Sequence, residues 1–306
     1  YLMQFARKRV KLGRSLIWSV LLLCPHGLAF AACPPDGWTR ESIEALKQDD
    51  FRIAQTGARA ALAMALIDCL DSPDPILRDG IAYEALQHWL RAKDLSPKLR
   101  RDLRTRLFAK LDAPDPLGVA RPFAALVLSE IARSDRIEPW MRDDERAEMI
   151  ERAARYLRSV DDYRGYDPDA GWRHGVAHGA DWAMQLALNP ALTRAQLDPL
   201  LDAVAAQAVP AAGHAYVFGE PERLARPLLF IAKRGLHSEA EWTAWFAALS
   251  MRVGDPALAW KDVAWLARRH DLAAFLQLLY VETDVSEDPA IARMRPGVLA
   301  ALKALP

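Results

Sequence analysis

Three cysteines among 306 residues are too few to frame a disulfide-built fold. An excess of positive charge is also missing: 40 Lys and Arg face 40 Asp and Glu, which leaves no footprint for nucleic acid. Aromatic residues make up only 8% of the chain. No stretch alternates apolar and polar residues long enough to predict a strand. A glycine-rich phosphate loop, a nucleophile elbow and a Cys-x-x-Cys pair are absent, so no motif speaks for nucleotide, α/β-hydrolase or thiol-redox chemistry. What is abundant is apolar mass, 52% of residues and mostly Ala and Leu, the strongest helix formers of that class.

The N-terminus carries Arg7, Lys8, Arg9, Lys11 and Arg14 with no acidic residue, then the apolar run Leu16 to Leu23, then Pro25, Gly27 and Ala29-Phe30-Ala31. Met3 reads as the start. The order of basic, apolar and small-x-small segments predicts a cleavable signal peptide over residues 1–31 and one all-helical domain over 32–306. The expected location is periplasmic or secreted. The apolar run is short of the roughly 20 residues a membrane span needs, so no span is expected after cleavage. An uncleaved anchor helix is the alternative. A lipoprotein through Cys33 ranks lower, because Phe30 stands where a lipid-attachment box usually has Leu. Without the signal, 35 basic residues face 40 acidic ones, a net charge of −5. Cys33 and Cys69 then remain as an even pair, for which a disulfide is predicted; a buried Cys69 with a free Cys33 is the alternative.

Helix signals recur along the rest. Residues 49–70 are Ala- and Leu-rich and interrupted only by Gly57. Asp74-Pro75 and Ser96-Pro97 each give an N-cap followed by Pro at the first turn. Leu99, Leu103, Leu107 and Leu111 follow at spacing four. Residues 121–133 are strongly apolar, and 143–158 carry charge on one face. A loop over 160–171 precedes helices at 172–188 and 193–208. Thr193 and Gln196 form a capping box for the second, although Pro199 inside it allows a later start. Pro221 and Ser238 open further helices, and Asp255-Pro256 and Asp288-Pro289 should open the last two long ones. The predicted class is all-α: helical hairpins packed as a HEAT-like solenoid, with an irregular α/α bundle as the alternative.

The segment over 161–181, DDYRGYDPDAGWRHGVAHGAD, is unlike the remainder. On a helix starting near Trp172, His174, His178, Asp181 and Gln185 fall within about 60° of one another, while Gly175, Ala177, Gly179 and Ala180 leave the other sides nearly free of bulk. That pattern predicts a central, close-packed helix showing one polar strip to a cleft. Two His four apart suit a shared divalent metal such as zinc, with Asp181 as third ligand or as a group orienting one imidazole. Gly175 stands where metalloprotease helices carry Glu, so a base would have to be Asp162, Asp167 or Glu220. Arg164 is the best anion-binding candidate, and an Arg164–Asp181 ion pair is one structural reading of the same residues. The turn from Tyr216 to Arg223 could close over the His helix; the simpler view is a helix start at Pro221.

At these residues the chain resembles an uncharacterised bacterial family, a domain of unknown function designated DUF2785. The resemblance rests on Arg164-Gly165-Tyr166-Asp167, on Gly171-Trp172-x-His174 and on Ala177-His178-Gly179-Ala180-Asp181. Weaker support comes from 122–128 and from Glu220-x-x-Arg223-Leu224. It extends over residues 54–279. It implies an all-helical fold and no established activity, and marks Arg164, Trp172, His174, His178 and Asp181 as pattern positions. Three expectations follow. The first is an exported helical-repeat binding or scaffold protein whose cleft uses Arg164, Trp172, His174, His178, Asp181 and Gln185 on a peptide, protein or small ligand. The second is a metal-dependent hydrolase with a His-x3-His-x2-Asp site and Asp162 or Glu220 as base. The third is a stripe that only specifies packing.

Overall fold

A computed structural model describes residues 33–305, and the expected signal segment lies outside the described residues. Cap chemistry places most helix starts. Ser96 Oγ accepts the Leu99 amide at 3.3 Å, opening helix α4 (Pro97–Asp112). Before it lie α1 (Arg40–Gln48), α2 (Thr56–Cys69) and a π-helical segment Ile76–Tyr83 that continues into α3 (Glu84–Arg91). After it come α5 (Ala120–Ile137) and α6 (Asp143–Ser159), then a hairpin of β1 (Tyr166–Asp167) and β2 (Gly171–Trp172). Helix α7 (Gly175–Ala187) follows, then α8 (Arg194–Ala208), whose Thr193–Gln196 capping box forms as expected and which runs straight through Pro199. The chain closes with α9 (Glu220–Lys233), α10 (Glu239–Met251), α11 (Val263–Val285), the four-residue α12 (Pro289–Ala292) and α13 (Arg295–Ala304). The fold is all-α.

Four details differ from the sequence reading. The helix expected over 49–70 breaks where Asp50 and Phe51 adopt left-handed φ values of 51° and 53°. Buried Phe51 is fixed there by its carbonyl, which accepts the Trp89 indole N–H at 2.9 Å. Asp255 and Asp288 do cap turns through the Ala257 and Ala290 amides, both at 2.9 Å, but these turns are short. The long helix α11 starts at Asp262, whose Oδ1 accepts the Trp265 amide at 2.7 Å. The hairpin lies in the segment expected to be loop.

Helices α5 to α9 each pack most closely on a helix two positions along the chain, whereas α4 packs mainly on α5 and α10 on α13. One row runs α3, α5, α7, α9, α11; a second includes α2 with α4 and α6 with α8. Helix α7 lies between α5 and α9, with α6 behind it. Its small residues allow this. A Cβ on Gly179 would stand 3.0 Å from both Leu157 Cδ1 and Tyr156 Cε1. One continuous apolar core links Ile43 to Ala301. A buried carboxylate, Asp135, ties α5 to its neighbours: it takes Arg146 Nε at 2.8 Å, the Trp140 and Met141 amides at 2.9 and 2.7 Å, and Asn189 Nδ2 at 3.1 Å. Cys33 and Cys69 form a disulfide, the bridge expected from their pairing.

Candidate functional site

The hairpin is built by a guanidinium. Arg78, fully buried on the π-helical segment, donates to the Ala170 and Ser72 carbonyls at 2.7 and 2.9 Å and pairs with Asp79 at 2.8 Å. Its charge lies over the Phe123 ring at 5.0 Å. Gly171 sits directly against this group. Its φ is +71°, and a Cβ would come within 2.8 Å of Pro75 and 3.1 Å of Arg78 Nη2, so only glycine fits. Asp167 Oδ1 caps the turn by accepting the Asp169 and Ala170 amides at 2.9 and 2.7 Å. It therefore shapes the hairpin and does not face the histidines as a base.

The hairpin delivers Trp172 and then His174. His174 is the residue before α7, with left-handed φ 56° and ψ 40°, so it is not on the helical wheel assumed from the sequence. The two imidazoles still meet, ring centroids 5.9 Å apart and inclined at 63°. Trp172 stacks on His174 at 4.8 Å and 26°, and Phe123 of α5 meets His178 edge-on at 5.2 Å. His178 Nδ1 lies 3.2 Å from the Pro122 carbonyl; that acceptor makes Nδ1 the protonated nitrogen and leaves Nε2 as a lone pair. His174 Nε2 is buried without a hydrogen-bond partner; the nearest acid, Glu220 Oε1, is 3.6 Å away, beyond bonding reach.

Burial sets the charges. It pulls the His174 pKa down to about 4, with help from nearby Arg223 and against the Phe218 backbone. Burial also pulls His178 down to about 3, with His174 and Arg223 adding to the effect. Both imidazoles are neutral at physiological pH. Burial raises Glu220, although its Oε2 accepts the Phe218 amide at 2.9 Å. Burial also raises Asp181, and Arg223 opposes it.

Asp181 is not a partner of the imidazoles. Both of its oxygens accept Arg223 Nη1 at 2.6 Å, and no group of three His, Cys, Asp or Glu among the described residues is placed to hold a metal. His174, His178 and Asp181 therefore do not assemble as the expected ligand set. Gln185 accepts Arg136 at 3.2 Å. Arg164 pairs with Asp162 at 2.8 Å, not with Asp181. Both belong to other surface hollows: Arg164 lines one beside Tyr163 and His214, Asp162 one beside Tyr156 and Arg152. Of the two candidate bases, Glu220 lies beside His174, at 3.6 Å, and Asp162 does not. The turn before α9 does both things considered for it. Pro221 lies in the first turn of α9, and the same stretch brings Phe218, Glu220 and Arg223 to the histidines. Phe218 packs where a Gly165 Cβ would be only 2.1 Å from its ring, which explains the glycine of the Arg-Gly-Tyr-Asp stretch.

His174, His178, Trp172 and Phe218 line one wall of a cavity of about 1300 Å³; Tyr83 and Arg91 come from the π-helical segment and α3. Arg91 is held by buried Glu130 through two bonds of 2.9 and 2.6 Å. Arg223 was legible only as part of a weak motif, and Tyr83, Arg91 and Glu130 carried no sequence signal. No helix among the described residues is long and apolar enough to cross a membrane. No curated protein and no solved structure matches the chain. The profile of a family described as a protein of unknown function, DUF2785, matches residues 107–281, more than half of the chain and including the hairpin, both histidines, Asp181 and Arg223. The chain belongs to that family.

Proposed function

We propose that the protein is an exported helical-repeat binding protein whose ligand occupies the cavity floored by Trp172, His174 and His178. The observation that carries this is the buried Nε2 of His174, which no protein group satisfies, on a residue that lines the cavity. Leaving a buried polar group unmade costs about 1–3 kcal/mol, and such groups are retained where something else supplies the partner. The two rows of helices support a HEAT-like repeat, a scaffold that presents extended surfaces. The basic, apolar and small-x-small N-terminus and the Cys33–Cys69 bridge support an oxidising compartment, periplasmic or extracellular. Lipid attachment at Cys33 and the bridge exclude each other. The metal-dependent hydrolase alternative has less behind it, since Asp181 is committed to Arg223.

Thermal-shift screening against small polar molecules, short peptides and oligosaccharides tests the proposal. A ligand in the cavity raises the melting temperature of the wild type and not that of folded His174→Ala or His178→Ala. If no class of compound shifts the wild type, or the variants respond equally, the proposal fails.

A further inference from the structure

We infer that the ligand is an uncharged oligosaccharide, stacked on the Trp172 indole and hydrogen-bonded by the imidazoles and the paired charges around it. The inference rests on the cavity being the ligand site, as proposed above, and adds the class of ligand.

Size comes first. Pockets for single small molecules span about 300–1,000 Å³; this cavity is about 1300 Å³, room for a chain of several units. Charge comes second. Every cation lining it is already matched: Lys47 with Glu84 at 2.8 Å, Arg91 with Glu130 at 2.6 Å, Arg223 with Asp181 at 2.6 Å and Arg226 with Glu222 at 2.5 Å. A phosphorylated or polyanionic ligand would have to break these pairs, so the wall selects for a neutral one.

The third argument is the platform. Trp172 has His174 stacked on it, Tyr166 and Phe218 packed around it and 38% of its surface exposed, and it lines the cavity. A rigid aromatic surface backed by protein and open to a cleft suits the apolar face of a sugar ring. The fourth is hydrogen-bond chemistry. The Nε2 lone pair of His178 accepts, and the Lys47–Glu84 and Arg226–Glu222 pairs, both partners of which line the cavity, offer donor and acceptor side by side. Hydroxyl groups also do both. A proline-rich peptide, the other guest of aromatic grooves, lacks the amide donors that these carboxylates would need. The apolar wall is mainly aromatic and lacks the aliphatic pockets that seat an amphipathic helix, and β1 and β2, two residues each, offer no strand edge to extend.

Calorimetry and tryptophan fluorescence of the full-length protein with maltotetraose, cellotetraose, chitotetraose and a proline-rich decapeptide test the inference. At least one tetrasaccharide should bind, and Trp172→Ala should weaken it about tenfold. Trp172→Phe should keep most of the affinity, and Trp260→Ala should leave it unchanged. Should Trp172→Ala fail to fold, proton NMR of the sugar with wild-type protein still decides: ring-current upfield shifts of its ring protons are expected, and their absence overturns the inference. Binding that survives Trp172→Ala also overturns it. Binding of the decapeptide alone overturns the sugar class and leaves the cavity reading standing. If nothing binds and the thermal screen is silent, both fall.

Discussion

Replacing Arg223 with Met should expose how the buried half of the site is held. Asp181 is only 8% exposed, and both of its oxygens rest on the Arg223 guanidinium. Removing one partner of a buried pair costs about 3–5 kcal/mol, because the remaining charge has no counter-charge. The Arg223 side chain is itself 33% exposed, so the lower end applies, about 3 kcal/mol at pH 7. Restoring neutrality with Asp181→Asn in the same chain should recover more than half of that loss.

The pH dependence carries a sign. Burial already raises the Asp181 pKa, and Arg223 is the main group opposing that rise. Without Arg223 the carboxyl moves further up. A group whose folded pKa lies above its unfolded value contributes stability at low pH and loses it as pH rises through the folded value. The deficit of Arg223→Met should therefore shrink on going from about pH 7 to 5, by up to ~1.4 kcal/mol per pH unit. Urea unfolding followed by far-UV circular dichroism gives these numbers. A deficit below about 1 kcal/mol, a deficit indifferent to pH, or a double variant no better than the single would refute a charged, buried Asp181.

Other sites give independent checks. Cys33→Ser/Cys69→Ser opens a loop of 36 residues and should lower the unfolding free energy by about 4 kcal/mol, read by urea titration of both proteins without reductant. Gly179→Ala adds a methyl group 3.0 Å from two buried side chains; despite the better helix propensity it should cost about 1 kcal/mol in the same assay. The C2 protons of His174 and His178, assigned by single variants, should not titrate above about pH 5 in NMR spectra. Asp271 is buried and its pKa is pushed up to about 7, while its Oδ1 accepts the Tyr216 amide at 2.8 Å. Asp271→Asn keeps that acceptor. The wild type should lose stability relative to the variant as pH rises from about 5 to 7, since ionisation is the penalised step.

Local chemistry was readable and long-range chemistry was not. Ser96-Pro97, Thr193 with Gln196 and Ser238 with Glu241 each cap the helix expected of them, because a cap is made within four residues. The same logic overreached at Asp255 and Asp288: a capping Asp specifies a turn and says nothing of how far the helix continues. The hairpin escaped notice because two-residue strands have no period, and because Arg78 holds it from 92 positions away. The spacing of His174 and His178 pointed to neighbouring imidazoles, and they are neighbours. It misled about Asp181, since three further residues along α7 lead toward Arg223 of α9, whose approach depends on the packing of small residues between the helices.

Buried polar atoms without partners are not confined to the site. The indole N–H groups of Trp182 and Trp265 are also unpaired. Their surroundings separate them from His174. Trp182 is an amphipathic ring in the packed interior, where burial of its large apolar surface outweighs one lost hydrogen bond. His174 has little apolar surface to offset its orphan nitrogen, and the backbone before α7 adopts a left-handed turn to place it. Asp135, by contrast, is a buried polar side chain whose partners all come from within the chain. An imidazole kept neutral, strained at its backbone and unpaired in a cavity wall is a poor solution to packing, and a good one for a site that waits for a hydroxyl or amide from outside the chain.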